Sequence, residues 1–536
     1  MRIEEIERKH WGCLIVGTGV GGATLGYALA RAGTEVLFLE KGRALFLHTD
    51  TLRGVYPELH FQHVGATSAS CAGVLARAGR CYDEFRDGTR SFVPFIGCGT
   101  GGSSALFGMA MERFFPEDFE PRQHYPKDTG SSLPDAWPVR YEEMVPYYQR
   151  AEELYRVRGS RDPLRPNDSD LLPPPPLSLR NAEVYAHFER QGLHPYRLPL
   201  ACESISGCEC CQGYLCARNC KNDAGRVCLE PAVREHGATL LDECEVVGLE
   251  AVLDRVTSAI CHWRGRTVTL RADRFVLGAG ALMTPALLLR STSVDWPLGL
   301  ANASGLVGRN LMRHCVDLYL VFTRERGDNR FKEVGLSDFY QSGGAKLGAV
   351  QSFGLLPPAP ILAAAFAKDV YDAAPWASLL LGLARPLLRG VLSRLFERGV
   401  LLAAMMEDLP YTDNRVVAGP PLGISYRLHT HDVARIRAFR SQLVKALKPY
   451  RFFVLRQAEK NSMLAHACGT CRFGEDPAAS VLDAHNRAHG ISNLYVVDGS
   501  FFPSSGATNP ALTIAANALR VADHLLARDQ WTKTSQ

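Results

Sequence analysis

Along residues 13–40 the pattern of apolar and polar positions changes period twice. A continuous apolar run, CLIV at 13–16, stops at the glycine-rich GTGVGG of 17–22, and an alanine-rich stretch follows to Gly33. A second apolar run, VLFL at 36–39, ends on Glu40. Short apolar runs bounded by glycine read as buried strands, and the stretch between them has the length and composition of a helix. Strand, tight turn, helix and strand within about 28 residues predict a dinucleotide-binding βαβ unit.

The same pattern returns far down the chain. Residues 274–291 give a short strand at 275–277, then Gly278-Ala279-Gly280 and an apolar helix. Residues 494–497 give another strand, followed by Asp498-Gly499, a proline turn and a closing helix over 510–526. Both look like contributors to one nucleotide-binding sheet, and residues 238–250 resemble a strand pair. Residues 137–157 predict a helix whose Tyr141, Val145, Tyr148 and Tyr155 share a packing face. Residues 159–176, rich in Pro, Asp and Asn, read as a linker or surface excursion.

Residues 305–454 read as a separate domain of mixed strands and helices. Within it, residues 376–406 alternate leucines (Leu379 to Phe396) with Arg385, Arg389, Arg394 and Arg398. That suits either helices buried at an interface with arginines at the rim, or a basic amphipathic surface for a membrane or an apolar substrate. Residues 347–367 carry one of the longest uncharged runs, but Pro357, Pro358 and Pro360 argue against a spanning helix there.

Composition narrows the class. The 536 residues carry a net charge of only +4 and no basic tract, which argues against nucleic acid as a partner. The opening MRIEEIERKH has no apolar stretch of signal-peptide type, so a cytoplasmic chain is expected, with membrane association or export alongside a partner as variants. Of sixteen cysteines, seven (Cys202, Cys208, Cys210, Cys211, Cys216, Cys220 and Cys228) fall within 27 residues. Such crowding points to a local metal or redox site rather than a disulfide framework.

The glycines have separable tasks: Gly17 makes the turn, Gly19 lets the backbone approach a pyrophosphate, and Gly22 packs helix on strand. Phosphates then meet the exposed NH groups of the helix N-terminus, and Glu40 is placed for a ribose hydroxyl. A second loop, Gly97-Cys98-Gly99-Thr100-Gly101-Gly102-Ser103-Ser104, can bring bare NH groups against phosphate or a flavin ring.

Five blocks in order resemble the FAD-dependent glucose-methanol-choline (GMC) oxidoreductases, over about residues 13–526. They are the opening glycine motif with Glu40; Gly101-Gly102-Ser103-Ser104; GALMTPALL at 280–288, where Thr292 stands in place of a usual glycine; Gly308-Arg309-Asn310-Leu311 with His314; and the C-terminal group. That last group joins HACGTCR at 466–472, VDGS at 497–500 and TNPALT at 508–513.

The resemblance implies an α/β fold: a Rossmann-like FAD-binding domain assembled from residues 8–125, 200–304 and 455–530, including the cysteine-rich insert 202–228. It also implies an α+β substrate-binding domain with an antiparallel sheet, from residues 126–199 and 305–454. His466 falls on the family's catalytic base and Asn509 on its partner. FAD contacts are expected from Gly17, Gly19, Gly22, Glu40, Gly101, Gly102, Ser103, Asp498, Gly499, Asn509, Pro510 and Thr513. Some relatives attach flavin through a histidine in the second glycine loop; no histidine lies between 97 and 115, so noncovalent FAD is expected. His485 and His489 read as turn residues without a role.

A neutral imidazole suits removal of a hydroxyl proton near neutral pH, while a hydride leaves the same carbon for flavin N5. The expected activity is therefore oxidation of an alcohol or sugar hydroxyl to the carbonyl, by a dehydrogenase passing electrons to an acceptor protein or subunit. An O2-using alcohol oxidase and a redox-neutral, hydroxynitrile-lyase-like enzyme are the alternatives. The CC-x4-C-x3-C spacing of Cys210, Cys211, Cys216 and Cys220 is similar to that of bacterial FAD-dependent glucose dehydrogenases, which carry a three-iron cluster. Cys208 and Cys228 depart from that group. Iron–sulfur, structural zinc or disulfide, and unligated thiols all stay open.

Overall fold

The first apolar run becomes the central strand of a mixed sheet, His10–Val16. The computed structural model describes the chain apart from residues 1, 62–67, 89, 127–128, 167–168, 328–330, 355–357, 359–360, 362–389, 391–398, 461–463, 465 and 535–536. Val36–Leu39 and Arg266–Leu277 flank the central strand in parallel, with Cys13 opposite both Val36 and Arg274. Thr239–Leu241 extends one side, and Leu494–Val496 pairs with the last residues of Arg266–Leu277, again in parallel. The core runs are buried on both faces, which is why they read as unbroken apolar stretches rather than alternating ones.

Arg266–Leu277 changes partners halfway along. Its first half pairs antiparallel with Arg255–Trp263, which pairs in turn with Cys244–Val252. Because the five parallel strands run the same way, the turns after Val16, Leu39, Leu277 and Val496 gather at one sheet edge. That carboxyl edge is where open α/β sheets bind ligands. Helices Val20–Arg31 and Tyr141–Leu154 pack against the closing helix, Ala511–Thr534.

A second sheet runs Arg451–Leu455, His314–Phe322, Gly399–Glu407, Gly348–Ser352, Val334–Leu336, Tyr196–Arg197, each strand antiparallel to its neighbours. Helices Leu179–Arg190 and Thr430–Ala446 cover one face through Val184, Phe188, Ile436, Phe439 and Leu443. The molecule is thus α/β, a Rossmann-like sheet built from separated segments and joined to an α+β part with an antiparallel sheet.

Several expectations shift in detail. Residues 238–250 do not pair with each other: Thr239–Leu241 closes the parallel sheet, and a turn at Asp242-Glu243 sends Cys244–Val252 to a different partner. The helix predicted over 137–157 starts at Tyr141 and buries Tyr141, Met144, Tyr148 and Ala151, leaving Val145 at the rim. The closing helix continues to Thr534. Of the basic amphipathic stretch at 376–406, the last residues form the fully buried strand Gly399–Glu407 rather than a helix; Leu379 to Phe396 lie outside the described residues. Among the described residues no helix is long and apolar enough to cross a membrane.

Candidate active site

Three glycine turns interlock at the carboxyl edge of the parallel sheet. Gly17 has φ +91°, and a Cβ there would sit 2.5 Å from the Gly278 carbonyl oxygen; one on Gly22 would sit 2.2 Å from that of Gly17. Both positions therefore serve close packing. Gly21, which the motif reading passed over, is tighter still: a Cβ would lie 2.0 Å from the Val497 carbonyl oxygen. Gly19 differs, since a Cβ would meet nothing nearer than 3.8 Å. It leaves the backbone open at the start of a helix, a geometry that suits an anion.

Glu40 is buried and splints this loop. One carboxylate oxygen accepts from the Thr18 amide at 3.1 Å and hydroxyl at 2.5 Å, the other from the Gly42 amide at 2.9 Å. The second glycine loop lies on the first: the Gly101 amide donates to the Thr18 carbonyl at 3.1 Å, and a Cβ on Gly102 would approach Gly19 Cα to 3.0 Å. Ser103 Oγ accepts from the Gly97 amide and closes the loop. Asp498 binds the third turn, its carboxylate accepting from the Gly280 amide at 2.9 Å, Thr284 Oγ1 at 2.5 Å and the Ser500 amide at 2.9 Å. Burial pushes its carboxyl up, and these donors act against that shift. The Gly499 carbonyl accepts from the Gly469 amide, tying this turn to the segment that carries His466. Pro510 precedes the closing helix, whose Thr513 hydroxyl meets Tyr148 at 2.9 Å.

His466 and Asn509 come together at the mouth of this arrangement. Asn509 Nδ2 lies 3.5 Å from His466 Nε2, and His466 holds a left-handed φ of +58°. The ring's other nitrogen, Nδ1, is 2.8 Å from Nδ1 of His314, whose Nε2 is 3.2 Å from the Ser505 carbonyl oxygen. On the other side, Asn509 Oδ1 accepts from Gln351 Nε2 at 2.5 Å, and the same nitrogen lies 3.3 Å from Glu112. Tyr196 donates to Glu112, and Arg165 stands 3.8 Å from it.

Strand alternation explains how these partners arrive. Cys315, Tyr319 and Val350 face the covering helices, so His314 and Gln351, one residue out of step, point to the opposite face. Sequence reading placed His314 only in a turn motif and missed Gln351 and Glu112. For His314 and Gln351 the signal is the two-residue alternation of strands His314–Phe322 and Gly348–Ser352, which sets the face but not the partner; Glu112 lies outside any strand and has no such signal. Lys332 also stands at this wall, buried and without a hydrogen-bond or ion-pair partner among the described residues. Its ammonium is so close to Gly108 that a Cβ there would meet it at 2.7 Å.

Burial, reinforced by Lys332, holds the His466 imidazole well below its usual pKa. Burial likewise lowers His314, and brings Lys332 down to about 8. The arrangement is therefore a neutral imidazole beside a side-chain amide, with a buried lysine in the wall.

The cysteine loop folds onto Met109, just past the second glycine loop. Cys210, Cys211, Cys216 and Cys220 are all buried there, joined by Cys202 and Cys208. Sulfur separations are 3.1 Å for Cys208–Cys220, 3.5 Å for Cys216–Cys220 and 3.7 Å for Cys202–Cys208. The tightest triad, Cys202, Cys208 and Cys220, shares only Cys220 with the four thiols picked from spacing. Cys228 stands apart, against Thr24 and Tyr155. His485 stacks on His524 and His489 meets Ser480, both away from this centre.

Comparison with known proteins agrees with this architecture. The GMC oxidoreductase family matches at residues 13–316 with its N-terminal part and at 418–518 with its C-terminal part. Paromamine 6'-oxidase of Streptomyces fradiae is 29% identical over 96% of this chain and 91% of that protein. The fructose dehydrogenase large subunit of Gluconobacter japonicus is 25% identical over 96% of this chain and 97% of that one. The crystal structure of pyridoxine 4-oxidase from Mesorbium loti shares the fold, with a TM-score of 0.62 at 21% identity, covering 96% of this chain and 99% of that chain. The chain belongs to the GMC oxidoreductase family, and is with it a FAD-binding oxidoreductase acting on CH–OH groups.

Proposed function

We propose that this protein oxidises an alcohol or sugar hydroxyl to the carbonyl, with His466 as general base and Asn509 holding the substrate oxygen. The observation that carries it is the pairing of His466 Nε2 with Asn509 Nδ2 at 3.5 Å, beside the carboxyl edge of the parallel sheet. His466 takes the hydroxyl proton; the Asn509 amide donates to the oxygen as it gains alkoxide character. FAD, when bound, supplies the hydride acceptor at N5. Gly17, Gly19, Gly22, Glu40, Gly101, Gly102, Ser103, Asp498, Gly499, Pro510 and Thr513 would hold it noncovalently, and the open backbone at Gly19 fits a pyrophosphate there.

The polar wall of Glu112, Gln351, Arg165 and Lys332 supports a substrate with several hydroxyls, in keeping with relatives named for paromamine and fructose. The division into a FAD-binding part (8–125, 200–304, 455–530) and a substrate-binding part (126–199, 305–454) belongs to the same proposal, as does a cytoplasmic location. Mixing the FAD-loaded protein anaerobically with a panel of sugars and alcohols tests it. Bleaching of the oxidised flavin by one of them supports the reading, and turnover with the flavin still oxidised would point to the lyase instead.

For the electrons, the six converging thiols support a dehydrogenase that uses an iron–sulfur cluster to reach an acceptor protein. Thiolates at this density suit such a cluster or zinc, and the buried, mutually close Cys202, Cys208 and Cys220 fit a ligand set. The second reading, an oxidase returning electrons to O2, is favoured by the relative named as an oxidase. Oxygen consumption during turnover separates the two.

A further inference from the structure

We propose that His314 is a positioning residue that fixes the tautomer of His466, so that Nε2 rather than Nδ1 carries the lone pair used as base. The proposal rests on reading His466 as the base and adds what sets its protonation pattern. The Ser505 backbone carbonyl can only accept, and it faces His314 Nε2 at 3.2 Å. His314 Nε2 must therefore be the protonated nitrogen. In a neutral imidazole the other nitrogen is then a bare acceptor.

That other nitrogen, Nδ1, lies 2.8 Å from His466 Nδ1. Two lone pairs cannot share such a contact, so His466 Nδ1 carries the proton and donates it to His314. The His466 lone pair is left on Nε2, on the side of Asn509. The reverse assignment would set the His314 Nε2 lone pair against the Ser505 carbonyl. Met405 Sδ, 3.2 Å from His314 Nδ1, is too weak an acceptor to compensate. Burial keeps His314 from adopting the doubly protonated form that would escape the choice.

The opposite side of the site repeats the logic. Gln351 Nε2 donates to Asn509 Oδ1, which leaves the Asn509 amide hydrogens facing His466. Two chains, Ser505–His314–His466 and Glu112–Gln351–Asn509, so present one acceptor and one donor to the same spot. With FAD bound, the substrate O–H bond would break with its proton going to His466 Nε2, and the hydride would leave with the C–H electron pair, for which FAD would supply the acceptor. His466 becomes an imidazolium still bonded through Nδ1–H to a neutral His314.

The test uses the FAD-loaded protein with 15N-labelled histidine, together with His314→Leu and His314→Asn. Asparagine can place its carbonyl oxygen where His314 Nδ1 stands; leucine cannot accept at all. Nitrogen chemical shifts of parental His466 should report a protonated Nδ1 and a bare Nε2. Substrate-driven flavin reduction should fall by about 10²-fold or more in His314→Leu at unchanged FAD content, and recover to within about tenfold of the parent in His314→Asn. A parental His466 protonated at Nε2, or equal losses in both variants with FAD retained, would overturn the proposal. The underlying reading fails separately, if His466→Ala reduces flavin as fast as the parent.

Discussion

His466 sits where burial and the Lys332 ammonium disfavour a second proton, so its pKa lies well below 6.5. The base should stay competent in mild acid. Plotted against pH, the rate of flavin reduction should run level through 6.5 and fall only further into acid; a midpoint at or above 6.5 would contradict the assignment. The linked stability effect has the matching sign. The folded pKa lies below the unfolded one, so the unfolded chain takes the proton first, and this group withdraws stability as pH drops below about 6.5. That His466 and Asn509 would lie together could be read from the sequence because each stands inside a dense local motif. The placement of His314 and Gln351 beside them could not, because it arises only when strand alternation turns these two towards residues more than a hundred positions away, and Glu112, outside any strand, arrives only through the tertiary fold.

Elements make the site by how closely they approach. Gly19 and Gly21 begin the same helix yet meet different surroundings, open space for one and the Val497 carbonyl for the other. Gly19 also has an ordinary φ of −69°, so alanine is tolerated there. Gly19→Ala should leave the apoprotein's denaturation midpoint unchanged while abolishing FAD retention. Gly21→Ala should cost about 1–3 kcal/mol of apoprotein stability as well. Full FAD content in Gly19→Ala would contradict the cradle.

A second element-level feature is the fully buried Lys346, 2.5 Å from both Asp118 and Glu407. It joins the segment after the second glycine loop to the antiparallel sheet. Lys346→Met would leave two buried carboxylates without the ammonium they share, and should destabilise the protein by about 3–5 kcal/mol in chemical denaturation. A loss under about 1 kcal/mol would show that the link matters little. The parallel strands were legible as unbroken apolar runs. The meander of Cys244–Val252 and Arg255–Trp263 was not, because its alternation is broken by bulges between Val246 and Gly248 and between Glu250 and Ala251.

At the scale of the whole molecule, three segments from the beginning, middle and end of the chain meet at one sheet edge, and the antiparallel sheet meets them with the face that carries His314 and Gln351. The cysteine loop lies against the glycine loop that borders this junction. If it holds an iron–sulfur cluster, anaerobically purified protein should contain iron and acid-labile sulfide, with both reduced in Cys220→Ala. Zinc alone, or neither metal nor sulfide, would redirect the electrons to O2. The α/β class and family architecture were legible because glycine motifs fix turns locally. The packing of the cysteine loop was not, since spacing cannot show that Cys202 folds back onto Cys208.

The account turns on His466 as the base that drives flavin reduction, and one measurement reaches it directly. FAD-loaded parent and His466→Ala are mixed anaerobically with the substrate found in the panel, and flavin bleaching is followed in the stopped flow. The predicted result is equal FAD content with reduction slowed by about 10²-fold or more in the variant; equal reduction rates in the two proteins would contradict it.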